Sequence, residues 1–168
     1  MPLGAADAIE LRARMGNIES KTLLYKRSNF ATRLPLDCRY SPSHCWLTER
    51  NGAWRVGFTK FATRMLGEIV DHGFSIEVGS PVRSGQIVGW IEGFKAISDL
   101  FCVVDGEFRG GNPGLAGKLE AIDHDCYGEG WLYEAAGKPD SLCVDAEAYK
   151  NLLDKTIDKI LEKQRSTG

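Results

Sequence analysis

Apolar and polar positions alternate with a period of two along two short segments of the chain. Trp54, Val56 and Phe58 alternate just after Asn51-Gly52, a hairpin-type turn signal. Phe74, Ile76 and Val78 repeat the pattern, so both segments predict half-buried strands. A longer apolar run spans Gln86–Val104 and is broken at its middle by Glu92-Gly93-Phe94-Lys95-Ala96. Ile87, Val88, Trp90 and Ile91 predict one strand before the break, and Ile97, Leu100, Phe101, Val103 and Val104 another after it. Gly93 takes a positive φ without steric cost, so the chain is expected to reverse there, with Lys95 at or beside the tip.

Helical spacing appears at two places. Phe61, Ala62, Met65 and Leu66 predict one apolar face on a short helix over Lys60–Leu66, capped by Thr59 and ended by Gly67. Tyr149, Leu152, Leu153, Ile157, Ile160 and Leu161 fall at spacings of three and four, with Asp145 as the N-cap. That pattern predicts a C-terminal amphipathic helix over 145–163 that docks on a sheet, followed by a fraying end. Leu115 to Ile122 reads as a further short helix, weakened by Gly117. Gly79 to Gly85 reads as a turn-rich loop feeding the central strand pair.

Composition narrows the functional classes. The chain has 168 residues, enough for one domain with its own core, and 26% are charged with a net charge of −2. No basic field is present for a nucleic acid, and no apolar run reaches the length of a membrane span. The five cysteines (Cys38, Cys45, Cys102, Cys126, Cys143) lack the two-residue spacers of metal sites, and the histidines are scattered, so no metal is expected. Reduced thiols in a cytoplasmic compartment is the simplest reading. A disulfide between Cys38 and Cys45 is a minor alternative. Residues 1–39 read as an N-terminal extension, partly flexible, with helical character over Ala5–Met15 and a basic stretch at Lys21, Lys26, Arg27 and Arg33.

Taken alone, a lysine on a turn is a solvated charge. The octet Glu92-Gly93-Phe94-Lys95-Ala96-Ile97-Ser98-Asp99, however, resembles the lipoyl-attachment hairpin of the glycine cleavage system H-protein family, whose usual run is Glu-Ser-Val-Lys-Ala-Ala-Ser-Asp. Further blocks carry the same resemblance. His44 and Trp46 match a His-x-Trp that opens the first strand, and Leu66-Gly67-Glu68-Ile69-Val70 is similar to Leu-Gly-Asp-Ile-Val. Val104-Asp105-Gly106-Glu107-Phe108 is similar to Val-Ser-Gly-Glu-Val, with Asn112 after it. Asp125-Cys126-Tyr127-Gly128-Glu129-Gly130-Trp131-Leu132 departs from the family's run only at Cys126, where that run has proline. Around the lysine the departures are Gly93, Phe94 and Ile97.

The resemblance implies a mainly β fold over residues 40–163, a barrel-sandwich hybrid of the lipoyl/biotinyl-carrier type with short peripheral helices and the C-terminal helix. It implies a carrier rather than an enzyme, with no catalytic residues and with lipoate attached covalently to Lys95. Glu92, Gly93, Ala96 and Asp99 form the attachment context. In the family, the arm takes an aminomethyl group from glycine decarboxylase, a pyridoxal-phosphate enzyme, to a tetrahydrofolate-dependent aminomethyltransferase. Dihydrolipoamide dehydrogenase, a flavin (FAD) enzyme, reoxidises the arm, and a lipoylating enzyme installs it. A monomer is expected, in the cytoplasm, with the mitochondrial matrix as the alternative. Two other readings stay open: an H-like lipoate carrier of another pathway, such as sulfur oxidation or lipoyl relay, and an unmodified H-like interaction module.

Overall fold

The computed structural model describes residues 21–167. The stretch of helical character over Ala5–Met15 lies outside the described residues. In chain order, β1 (Thr22–Arg27) and β2 (Phe30–Pro35) come first, then β3 (Arg39–Tyr40), β4 (Cys45–Arg50), β5 (Ala53–Phe58) and helix α1 (Lys60–Leu66). Next are β6 (Ile69–Phe74), β7 (Pro81–Val82), β8 (Ile87–Gly93), β9 (Ile97–Phe101) and β10 (Val104–Gly111). A 3-10 turn at Pro113–Leu115, helix α2 (Ala121–His124), β11 (Tyr133–Pro139) and helix α3 (Ala146–Thr167) complete the chain.

These strands form a barrel-sandwich hybrid. One sheet runs in the order β3-β4-β5-β11-β10-β7, a second in the order β6-β8-β9, and β1-β2 stand as a separate hairpin. The main core draws on both larger sheets, with Leu47, Val56, Leu132 and Phe108 meeting Val88, Ile91 and Leu100. Asn51 and Gly52 both sit at positive φ, as the two-residue turn between β4 and β5 requires. Thr59 caps α1 through Ala62 N–H, and the Gly67 N–H donates to the Thr63 carbonyl at the other end. On α1, Phe61 and Leu66 are buried but Met65 is half exposed, so the apolar face is narrower than its spacing implied.

Within the 1–39 stretch, the described residues form a paired hairpin. β1 and β2 pair from Thr22↔Pro35 to Arg27↔Phe30, and Tyr25, Phe30 and Leu34 are buried against α3 residues Tyr149, Leu153 and Ile157. Tyr25 Oη donates to Asp154 at 2.8 Å, and Arg27 forks onto Asp158 through two bonds of 3.0 Å. The apolar stripe of α3 therefore finds a hairpin as well as a sheet to cover it. The helix continues to Thr167, beyond the expected 163, and Asp145 caps it by accepting from Ala148 N–H.

Three local expectations are revised. β6 ends at Phe74; Ser75 N–H still donates to the Val88 carbonyl of β8, and beyond it the chain leaves the three-stranded sheet and crosses to the other. Gly79 N–H bonds the Phe108 carbonyl, and Val78 is left 69% exposed. The Leu115–Ile122 segment is a 3-10 turn and the short α2, separated by turns. The strand after the lysine hairpin breaks at Cys102-Val103, so Val104 starts β10 in the other sheet. All five cysteines are free thiols. Burial pushes Cys38 and Cys45 up to about 12 and Cys126 up to about 11, which keeps them protonated and unreactive.

His44 ties strand, helix and cap together. Its Nδ1 lies 2.8 Å from the Tyr149 hydroxyl, which also bonds the Thr59 hydroxyl that caps α1. Burial lowers His44 to about 4, against 6.5 for a free histidine. The folded protein thus holds it neutral while the unfolded chain protonates it. Its contribution is complete above about pH 6.5 and is lost as the pH falls through that value towards 4, amounting to about 3 kcal/mol. His44 sits at φ 67°, which asparagine tolerates, so His44→Asn removes the titration without new backbone strain. Urea unfolding at pH 7 and pH 4 will show wild type losing about 3 kcal/mol more than the variant between the two.

Candidate carrier site

The β8–β9 hairpin carries the octet to the surface. Glu92 pairs with Ile97, Ile91 with Ser98 and Trp90 with Asp99. The tip is Phe94-Lys95, closed by Gly93 N–H donating to the Ala96 carbonyl at 2.8 Å. Gly93 is not in the positive-φ region, so its expected turn role is corrected. It is required for another reason: a Cβ there would run into the Leu66 carbonyl. Glycine lets β8 pass directly over the end of α1.

That crossing pins the tip by its backbone. Phe94 N–H donates to the Glu68 carbonyl at 2.7 Å and Lys95 N–H to the Leu66 carbonyl at 2.8 Å. Gly67, at φ 76°, clears space for the lysine stem, since a Cβ there would stand 2.9 Å from Lys95 Cγ. Lys95 is exposed, and among the described residues its Nζ has one long contact, 3.5 Å to the Arg64 carbonyl. Sequence reasoning did not find the Leu66–Glu68 clamp. Its only trace in the sequence is Leu66-Gly67-Glu68, which contacts the hairpin across some thirty residues of chain.

The strand register places Glu92 between Asp71 and Ile97, and Trp90 between Gly73 and Asp99. Cross-strand neighbours share a face, so Asp71, Glu92 and Asp99 lie together on the outer side of this sheet with Trp90. Glu92 and Asp99 belong to the octet, and Asp71 joins them only through strand pairing. Ala96 is exposed, and its carbonyl closes the turn. His124 and Cys126, two residues apart, stand by a surface recess with Lys60 and Asp123, where Lys60 and Asp123 pair at 2.9 Å. Asn112 and Asp125 hold the Asp125–Leu132 block, Asn112 by donating to the Glu129 and Trp131 carbonyls and Asp125 by accepting from Glu129 N–H. These residues serve packing and turn geometry.

A lysine held out on a backbone-clamped hairpin of a barrel-sandwich hybrid is the architecture of carrier proteins of the lipoyl/biotinyl type. Residues 38–163 match the family described as "Glycine cleavage H-protein". The chain belongs to that family. It is 38% identical to the glycine cleavage system H protein of Corynebacterium jeikeium over 123 residues, covering 71% of this chain and 96% of that protein. It is 37% identical to that of Burkholderia cenocepacia over 127 residues, covering 73% and 99%. The crystal structure of a glycine cleavage system H protein from Mycobacterium marinum superposes with a TM-score of 0.64 at 30% identity, covering 70% of this chain and 97% of that one. The β1–β2 hairpin precedes the matched region.

Proposed function

We propose that Lys95 is the lipoyl-attachment residue and that the protein carries aminomethyl groups in glycine cleavage, from glycine decarboxylase to an aminomethyltransferase. The observation that carries this reading is the free amine on a clamped tip, at the position that the octet marks. The residues suit the group: Nζ has room to form an amide, and Gly67 leaves the stem unobstructed. When bound, a lipoyl group supplies a redox-active disulfide on a long tether. The protein's own part is positional. The Leu66 and Glu68 carbonyls fix where the tether starts, which limits the volume its end must search. The Asp71, Glu92 and Asp99 carboxylates add a negative field on the flank, suited to steering basic surfaces.

Dihydrolipoamide dehydrogenase and a lipoylating enzyme complete the proposed set of partners, with the cytoplasm as the proposed location. No helix among the described residues is long and apolar enough to cross a membrane. The test is intact mass and peptide mapping of protein from its native host, followed by carrier turnover with glycine decarboxylase. A lipoyl increment on Lys95 with aminomethyl loading is expected. Loaded protein that accepts no aminomethyl group would move the assignment to another lipoate-dependent pathway. An unmodified chain in lipoate-replete cells would leave an interaction module.

A further inference from the structure

Among the described residues, the side chains beside Lys95 are left largely uncovered. Phe94 is 84% exposed and Ile97 is 71% exposed, although both sit on a hairpin whose tip is held by backbone bonds to the Leu66 and Glu68 carbonyls. Met65, next to the Leu66 clamp, and Val70, next to Ile69 opposite Gly93, are each about half exposed. One exposed apolar residue on a surface needs no account, but four on segments that converge on a single lysine do. Phe94 and Ile97 are also two of the three positions at which the octet departs from its family run, and both departures add apolar bulk.

The reach of the lysine identifies the partner this surface meets. An enzyme that acts on the far end of a lipoyl arm works well away from the protein backbone. The enzyme that installs the arm must instead bring its acyl carbon to Nζ itself. The lysine stem has four methylenes and spans roughly 6 Å when extended. The acyl donor must therefore approach to within that distance of the Lys95 Cα, and Phe94 and Ile97 enter the enzyme's mouth with it.

We infer that Phe94, supported by Ile97, is a specificity determinant for the lipoylating enzyme, which receives it in an apolar recess beside its acyl-donor site. This inference rests on Lys95 being the attachment residue. In the reaction, the neutral Lys95 amine forms a C–N bond to the acyl carbon of an activated donor, a thioester or acyl-adenylate. The bond from that carbon to the thiol or the nucleotide phosphate breaks, the leaving group departs with its electron pair, and the amine proton passes to a base on the enzyme. Phe94 takes no part in these bonds; it sets how long the amine stays aligned. Desolvating an aromatic ring of this size in an apolar recess is favourable, and the same recess rejects a charge.

The test uses the full chain in its unmodified form with the host's own lipoate ligase, ATP and lipoic acid, following Lys95 acylation by intact mass. Phe94→Val restores the residue type of the family run, and Phe94→Asp introduces a charge. Relative to wild type, kcat/KM is expected to fall several-fold for Phe94→Val and at least 10-fold for Phe94→Asp, carried mainly by KM. Acetylation of Lys95 by an N-hydroxysuccinimide ester, which needs no recess, and the melting temperature are expected to stay unchanged. Enzymatic acylation of Phe94→Asp at the wild-type rate would overturn the inference. So would an equal fall in the chemical acetylation, because it would mean an altered tip rather than lost recognition. Absence of acylation at Lys95 in the wild type would instead overturn the attachment reading beneath it.

Discussion

Replacing Lys95 with arginine will abolish carrier activity while leaving the protein folded. The guanidinium keeps the positive charge and a comparable length, but it stays protonated and cannot be acylated in place of the amine. Lys95 is exposed, and among the described residues its side chain contributes only a 3.5 Å polar contact to the Arg64 carbonyl. The two bonds that hold the tip come from the Phe94 and Lys95 backbone amides and survive the change. A surface substitution of this kind alters stability by no more than about 0.5 kcal/mol. Lys95→Arg is therefore expected to melt within about 2 °C of wild type. Lipoyl incorporation by the ligase and aminomethyl turnover with glycine decarboxylase should both fall below detection. Incorporation persisting at another lysine would reject the assignment of Lys95.

Replacing Trp46 with alanine gives the largest expected loss of stability. Trp46 is 1% exposed, and its Nε1–H donates to the Cys126 carbonyl at 2.8 Å. The indole fills a slot made by its cross-strand partner Gly57, where a Cβ would stand 2.5 Å from the ring. Truncation leaves a cavity over a glycine that cannot fill it, and it strips a buried carbonyl of its donor. The cost is about 3–5 kcal/mol, which corresponds to a fall in melting temperature of roughly 6–20 °C. Thermal unfolding followed by circular dichroism measures it directly. A loss under about 1 kcal/mol would mean that the Gly57 slot closes on itself. The variant should still be acylated at Lys95 below its transition, because the β8–β9 hairpin belongs to a different sheet from β4.

The two glycine-tryptophan slots show where reading a sequence stops. Gly73 lies across from Trp90 as Gly57 lies across from Trp46, and in both pairs a Cβ would overlap the indole. Each glycine looks in sequence like a flaw in a strand, and only register turns it into a seat for an aromatic ring. Gly93 is a sharper case. Its sequence context suggests a turn glycine, yet its φ is ordinary and its function is to let β8 cross the Leu66 carbonyl. A turn glycine and a close-approach glycine carry the same letter. The alternation of Phe74, Ile76 and Val78 misled for a related reason: period two also arises where the chain merely crosses between sheets.

The local grammar of the chain determined what depends on neighbours. Asn51-Gly52 determined a positive-φ turn, Thr59 and Gly67 the limits of α1, Asp145 the start of α3, and the interrupted apolar run a hairpin with Lys95 at its tip. Each is a matter of steric preference or of backbone groups needing a partner a few residues away, so the sequence suffices. Tertiary structure decided what depends on residues far apart. It placed the β1–β2 hairpin on α3, where the paired strands bury Tyr25, Phe30 and Leu34 that an unpaired segment would leave in water. It brought the Leu66 and Glu68 carbonyls to the amides of Lys95 and Phe94, and so made an exposed lysine a fixed one. Those bonds close a loop of some thirty residues, and no local preference encodes them; they form because the core packs both ends into place.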